Sequence, residues 1–383
     1  MVALTLPERR FGIRKSISSL HWTLVCLLAL IALVGVATLY SVAEGSWTPW
    51  AGRHAIRFAV ALVAMTVVGI TPLRVWLQLS YPAYFFALGL LFLVPFIGEV
   101  NMGARRWIDF GPITVQPSEI MKIALVMALA RYYHGLEFKR VSNPIYFTIP
   151  IFMVMLPVAL VFQQPDLGTA LLLLATGFCI ILLAGLSWKV TILGAIMGAI
   201  GAITAIQSGF LKEYQIKRLT AFMDPAADPL GSGYHLQQSK IALGSGGVVG
   251  KGYMEGTQSQ LKFLPEMHTD FIFTIFGEEF GLIGAVGLLV LYLMVFIVGM
   301  NIAMRARSHF GRLLTMGISM TFVMYVLINT GMVMGLAPVV GVPLPLVSNG
   351  GTVMFAVMIA FGLVQSTWIC RDQDTLRTTT GLN

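Results

Sequence analysis

The stretch MHTDFIFTIFGEEFGLIGAVGLLVLYLMVFIVGM, Met267 to Met300, decides the fold. From Phe271 to Met300 it is apolar apart from Glu278, Glu279 and scattered small or aromatic polar residues. A bilayer core about 30 Å thick needs about 20 mostly apolar residues to be crossed by a helix. The run exceeds that length and is continuous rather than alternating, so it reads as a membrane-spanning helix and not as a strand of a barrel. What remains is chemical: His268 and Asp270 stand at its threshold, and two glutamates lie inside it.

The rest of the chain repeats the pattern. Of 383 residues 57% are hydrophobic and only 11% charged, with a mean hydropathy of +0.82, well outside the composition of soluble domains. An all-α polytopic integral membrane protein is expected. Ten spans are predicted, at 20–42, 54–71, 79–97, 117–133, 145–162, 167–186, 188–207, 271–300, 311–335 and 350–370. An even number puts both termini on one side, and most of the 25 Lys and Arg fall on inner segments if that side is cytoplasmic, as the positive-inside rule requires. The first span follows a basic arm without a small-residue cleavage site and is read as retained. The remaining cations crowd the outer 1/2, 3/4 and 7/8 loops, among them Arg53, Arg105 and Arg106, and need a different explanation. Cys26, Cys179 and Cys370 all fall in apolar spans at no metal-like spacing. No Rossmann fingerprint, nucleotide-binding glycine loop or internal repeat is found.

The outer segments carry the polar chemistry. In the 3/4 loop, Arg105 and Arg106 precede Trp107, an interfacial anchor. Pro117 suits the first turn of a helix, on which Glu119 and Lys122 share a face. They are read either as a self-neutralising pair that joins helices or as the wall of a polar cavity. Asp166 is placed to cap the following helix. The 7/8 loop, 208–269, has Asp-Pro turns, a glycine cluster and HLQQSKIAL, which reads as a short helix; an ordered, re-entrant or surface-lying loop is expected. GLAPVVGVPLPLVSNGG, Gly335 to Gly351, is too rich in Pro and Gly for continuous helix, and broken backbone at membrane depth belongs inside protein or beside a cavity.

Four segments, GARRWIDFGPITVQPSEIMK, YQIKRLTAFMDPAADPLGSGYHLQQSKIALGSGG, LPEMHTDFIFTIFGEEFG and PVVGVPLPLVSNGG, together resemble the SEDS family of RodA and FtsW proteins. TQSQLKFLPE and PVVGVPLPLVS are worded more like the elongation branch than the division branch. The resemblance implies a single transmembrane domain over 1–383, with a cytoplasmic arm at 1–19, a large extracytoplasmic loop at 208–269 and a cytoplasmic tail at 371–383. It implies a bacterial inner-membrane peptidoglycan glycosyltransferase that polymerises lipid II beside a class B penicillin-binding protein transpeptidase and elongation-machinery proteins, with no nucleic-acid partner. Asp270 corresponds to the aspartate that the family requires for polymerisation. Glu119 and Lys122 match its QPSExxK motif, Arg106 the arginine before its tryptophan, and Gln215 and Arg218 its YQxxR element. One departure is visible: Asn349 stands where the family usually has an aromatic.

The chemistry fits these residue types. Lipid II carries a pyrophosphate, so outer cations such as Arg53, Arg105, Arg106 and Arg218 are expected to hold phosphates. An α-linked donor and a β-linked product need one inverting displacement and one carboxylate base. Asp270 is expected to be that base, with Lys122 facing it and Glu119 orienting Lys122. His268 is the competing base and otherwise shapes the entrance. Glu278 and Glu279 lie about 12 to 14 Å deeper; one is expected to pack against interior polar groups and the other to form an acidic cavity, with a purely structural role for both as the alternative. A magnesium or manganese ion bridging Asp270 and pyrophosphate is compatible with this scheme. The alternatives are a transporter of lipid-linked precursor, a division-type polymerase and a noncatalytic scaffold for the cross-linking enzyme.

Overall fold

A computed structural model describes residues 17–101, 104–109, 111, 114–137, 141, 143–207, 209, 213–224, 228, 231–257 and 267–373. Most of both terminal segments, most of TQSQLKFLPE and much of both Asp-Pro turns lie outside these residues. The described helices are α1 Trp22–Val42, α2 Ala51–Ile70, α3 Leu73–Ile97, α4 Pro117–His134, α5 Pro144–Gln163, α6 Leu167–Leu183, α7 Trp188–Gln207, α8 Glu213–Met223, α9 Ser232–Ser245, α10 Ile272–Arg305, α11 His309–Met334 and α12 Gly351–Ile369. Among the described residues, seven of them (α1, α2, α3, α5, α10, α11 and α12) are long and apolar enough to cross a membrane. The remaining predicted spans coincide with α4, which carries Glu119 and Lys122, and with the apolar helices α6 and α7.

Local signals set the ends of these helices. Asp166 caps α6 by accepting from the Thr169 backbone amide, and Pro117 opens α4 at its first turn, where a missing N–H costs nothing. Ser308 caps α11 in the same way as Asp166 caps α6, and Gly335 ends α11 in the left-handed conformation, as glycine does at a helix C-terminus.

Helices α11 and α12 are buried over two thirds of their apolar windows, and most of α4 is buried as well. These three form the centre. Helix α12 packs most extensively on α2, while α11 packs on α4, α6 and α10. The outer helices keep lipid-facing stripes such as Phe85, Phe92 and Phe96 on α3. Helix α7 is apolar and exposed along its described side chains.

Two features escape the local pattern. The 3/4 loop, read only as a loop, is a small antiparallel sheet: β1 Glu99–Asn101, β2 Ala104–Asp109 and β3 Thr114–Val115, in the order β1-β2-β3 with a bulge at Glu99/Val100. Helix α10 breaks at Gly281 (φ 64°, ψ −163°). A break inside a span exposes amides and carbonyls that lipid cannot satisfy. Residues 247–252 satisfy them: the Lys251 and Gly252 amides donate to the Glu278 and Glu279 carbonyls at 3.1 Å, and those of Leu282 and Ile283 donate to Gly247 and Val248 at 3.0 and 3.1 Å. A Cβ on Gly281 would lie 2.3 Å from the Gly250 nitrogen, and one on Gly250 2.0 Å from the Glu279 oxygen. Both glycines therefore serve a backbone-to-backbone contact that no side chain permits.

Candidate active site

Asp270 sits two residues before α10, partly buried. Its carbonyl accepts from Asn329 Nδ2 of α11 at 2.8 Å, and the same amide donates to the Val342 carbonyl at 2.7 Å. One side chain thus ties the threshold of α10 to the irregular segment between α11 and α12. Gly341 lies beside the carboxylate, since a Cβ there would stand at van der Waals distance, 3.4 Å, from Asp270 Oδ2.

That irregular segment is held from every side. Tyr292 donates to the Pro345 carbonyl at 2.6 Å, His54 lies 2.9 Å from the Leu346 carbonyl, and Ser348 donates to the Thr269 carbonyl at 2.6 Å. The Asn349 amide donates to the His268 carbonyl at 2.9 Å. The expectation that this broken backbone lies inside protein next to the polar site is met. His268 stacks on Trp50 with centroids 4.7 Å apart at 15°, so its ring is part of the wall beside Asp270.

Asn349, the departure from the family pattern, is integrated into this wall. Its Oδ1 accepts from Arg57 at 3.2 Å, and the Arg57 guanidinium packs against Gly351. Sequence reasoning missed Arg57, which lies inside a predicted span. Its signal was available in its spacing from Arg53, four residues earlier and on the same face of α2. Arg53 itself is exposed.

The pair Glu119–Lys122 is buried and closed, with Nζ 2.7 Å from Oε1. Tyr325 of α11 completes it: its hydroxyl donates to Glu119 Oε2 at 2.7 Å and also contacts Lys122 Nζ. The group joins α4 to α11 and borders a cavity of about 40 Å³ with apolar walls from Ile123, Phe322 and Phe361. The helix-joining reading of the pair is met; the cavity it borders has apolar walls, where a polar one was the other reading, and Lys122 is turned to Glu119 and Tyr325 and not to Asp270. Tyr325 stands one turn from Asn329, so the triad and the Asp270 support share one face of α11.

On the sheet, Arg106 donates to the Pro165 carbonyl, beside Asp166, which accepts from Gln116 at 3.3 Å and from Thr169. Among the described residues Arg106 Nε is buried without a hydrogen-bond partner. Arg105 is exposed and donates to the Pro95 carbonyl at 2.8 Å; Trp107 is partly buried opposite Glu99. Gln215 is buried and Arg218 partly buried on α8, which packs on α9, which in turn packs on α10 and α11. They belong to the layer outside Asp270.

The glutamates follow the structural alternative and not the acidic cavity. Glu278 accepts from Lys251 at 2.7 Å and from Thr257 at 3.0 Å. Glu279 accepts from Ser41 and from the Met254 amide. Both brace the 246–257 loop against the break in α10, where an acidic cavity had been one expectation. The physical reason is that a buried carboxylate is tolerated only with polar partners: Lys251 and Thr257 of this loop supply them for Glu278, and Ser41 of α1 joins the Met254 amide of the loop for Glu279.

Among the described residues no group of three or more His, Cys, Asp or Glu side chains converges to hold a metal. Magnesium or manganese asks for less, one or two carboxylates beside substrate phosphates and water, and Asp270 is placed to offer one.

Comparison with known proteins gives a consistent result. The family described as FTSW_RODA_SPOVE, cell cycle protein, matches residues 16–371. The peptidoglycan glycosyltransferase MrdB of Escherichia coli K12 is 42% identical over 343 residues, covering 89% of this chain and 91% of that protein. Among solved structures, a chain from a peptidoglycan synthase complex that coordinates polymerization and crosslinking superposes with a TM-score of 0.81 at 31% identity, covering 93% of this chain and 99% of that one. The rod shape determining protein RodA of Thermus thermophilus superposes with a TM-score of 0.70 at 28% identity, covering 93% and 98%.

Proposed function

The chain belongs to the FtsW/RodA/SpoVE family and is a peptidoglycan glycosyltransferase of the elongation type, and we propose that it polymerises lipid II with Asp270 as general base. The observation that carries the reading is the placement of Asp270, a partly buried carboxylate at the threshold of α10 whose backbone is fixed by Asn329.

The GlcNAc 4-hydroxyl of an acceptor attacks the anomeric carbon of MurNAc in the donor. The new C1–O4 bond forms as the bond to polyprenyl pyrophosphate breaks with its electron pair. The hydroxyl proton passes to Asp270. The donor is α-linked and the product β-linked, so one displacement with inversion suffices, and a single base serves it. The N-terminal end of α10 favours the ionised carboxylate, and the bond from Asn329 to the Asp270 backbone carbonyl fixes the residue's backbone, which supports transfer at a defined distance.

The leaving pyrophosphate needs cations. Arg57 is tied to the Asp270 wall through Asn349; Arg53 on α2 and Arg106 on the sheet are the further candidates, and arginine suits phosphate through its planar fork. A magnesium or manganese ion would neutralise the same charge, with Asp270 as its carboxylate. The Glu119–Lys122–Tyr325 group acts as the rigid floor that keeps α4 and α11 in register. The working assembly includes a class B penicillin-binding protein and other elongation proteins, a reading supported by the similarity to a chain of a polymerising and crosslinking complex. Both termini face the cytoplasm, which places Asp270 at the outer surface where lipid II head groups lie.

The test is polymerisation of labelled lipid II by purified protein with its transpeptidase. Glycan strands from wild type and none from folded Asp270→Asn support the reading. Normal strands from Asp270→Asn remove Asp270 from the chemical step.

A further inference from the structure

A polar cavity lies at the end of the bundle opposite Asp270. It has a volume of about 180 Å³ and is lined by His21, Val298, Asn301, Ile302, Arg305 and Trp368. The beginning of α1 and the ends of α10 and α12 meet there, whereas Asp270 lies at the beginning of α10. Nothing in the glycosyl transfer uses this cavity.

Its walls are positively charged and aromatic. The Arg371 guanidinium stacks 4.1 Å from the Trp368 ring centre, and that of Arg305 lies 6.0 Å from it. His21 meets the same ring edge-on with centroids 4.7 Å apart. Gln365 fixes His21 through both its backbone groups, accepting from the amide at 2.8 Å and donating to the carbonyl at 3.3 Å. Among the described residues, the acid beside these cations is Asp372, 3.9 Å from Arg371 and mostly exposed; no described carboxylate pairs with Arg305. Burial, with Arg305 and Arg371 close by, holds the His21 pKa below its usual value. The fixed positive charge of the site comes from the arginines.

The surroundings specify the ligand class. Val298, Asn301, Ile302 and Arg305 form one face of α10, while Leu293, Ile297 and Met304 on the same helix are exposed apolar side chains, and Trp22 is an exposed aromatic beside His21. A ligand here meets cations and a hydrogen-bonding amide at one end and lipid-facing apolar surface at the other. The cavity is smaller than the roughly 300 Å³ of a drug-sized pocket, which suits a headgroup and not a whole lipid. Basic pockets between membrane helices bind anionic headgroups by this combination, and arginine pairs with phosphate oxygens in its fork.

We infer that this cavity seats the phosphodiester headgroup of an anionic phospholipid, with Arg305 and Asn301 as direct contacts, Arg371 and Trp368 as the rim, and an acyl chain along Leu293 and Ile297. The site is separate from the transfer chemistry and does not depend on the role given to Asp270.

The experiment is native mass spectrometry of the purified full chain in detergent, titrated with phosphatidylglycerol or phosphatidylcholine. The expected result is one phosphatidylglycerol retained at least tenfold more tightly than phosphatidylcholine, a preference lost in Arg305→Gln and kept in Arg305→Lys. Asn301→Trp, at an exposed position, fills the cavity without removing a charge and is expected to lose the same preference, which keeps the test sound if Arg305→Gln folds poorly. Inorganic phosphate at millimolar concentration is expected to leave the bound lipid in place. Equal retention of the two lipids, or an unchanged preference in both Arg305→Gln and Asn301→Trp, overturns the inference. Displacement of the lipid by inorganic phosphate overturns the lipid assignment in favour of a free phosphate.

Discussion

Asn349 and Arg57 show how a single residue alters the site. The Asn349 side-chain oxygen holds the Arg57 guanidinium at 3.2 Å while its amide is held by the His268 carbonyl. A hydrogen bond to a charged group contributes about 1.5–3 kcal/mol to stability, so Asn349→Leu is expected to lower Tm and, by releasing the Arg57 guanidinium, to lower kcat/KM for lipid II. Kinetics with purified complex decide this; an unchanged kcat/KM would detach Arg57 from substrate binding. The buried Glu119–Lys122–Tyr325 group makes a stability prediction. Lys122→Met leaves a buried carboxylate unpaired, at a cost of about 3–5 kcal/mol, and Tyr325→Phe removes one donor, at about 1–3 kcal/mol. A lowered Tm in both is expected, with Glu119→Gln partly rescuing Lys122→Met. Of these residues, Glu119 and Lys122 were legible from their i, i+3 spacing. Tyr325 was not, because it stands on a helix two hundred residues away and looks like any aromatic in an apolar span.

At the scale of elements, the break in α10 and the 246–252 loop are a single structure. Gly250→Ala places a Cβ 2.0 Å from the Glu279 carbonyl at a positive φ, which combines a left-handed penalty of about 1–2 kcal/mol with overpacking of about 1–3 kcal/mol. Its Tm in detergent is expected to fall clearly, and that of Gly281→Ala likewise. Gly89→Ala on α3, where a Cβ meets nothing within 4 Å, is expected to match or exceed wild type. Equal losses at all three positions would contradict the interlock. The hydrophobic run from Phe271 revealed the helix and its length; the break was hidden because its hydrogen bonds come from a segment about thirty residues earlier. The small sheet was hidden for a related reason: its strands are two to six residues long, too short to show an alternation.

The whole molecule follows from the bilayer as solvent. Apolar runs gave the helices and, within a few residues, their ends, because length and polarity are fixed by the membrane. Which helices sit at the centre was harder to read. Helices α11 and α12 are less apolar than α1, α5 or α10, yet they are buried where those outer helices are not, and close-packed glycines such as Gly362 and Gly317 mark that difference. The polar residues then divide by end: Asp270, the broken segment and the arginines of α2 at one, the Arg305–Trp368 cavity at the other. That division suits an enzyme acting at one surface more than a carrier with a midplane site.

The measurement that tests this account most directly is polymerisation of labelled lipid II by the purified protein with its transpeptidase, wild type against Asp270→Asn, with folding of both verified by thermal unfolding. The account expects glycan strands from wild type and none from the equally stable variant. Equal strand formation by Asp270→Asn would contradict it.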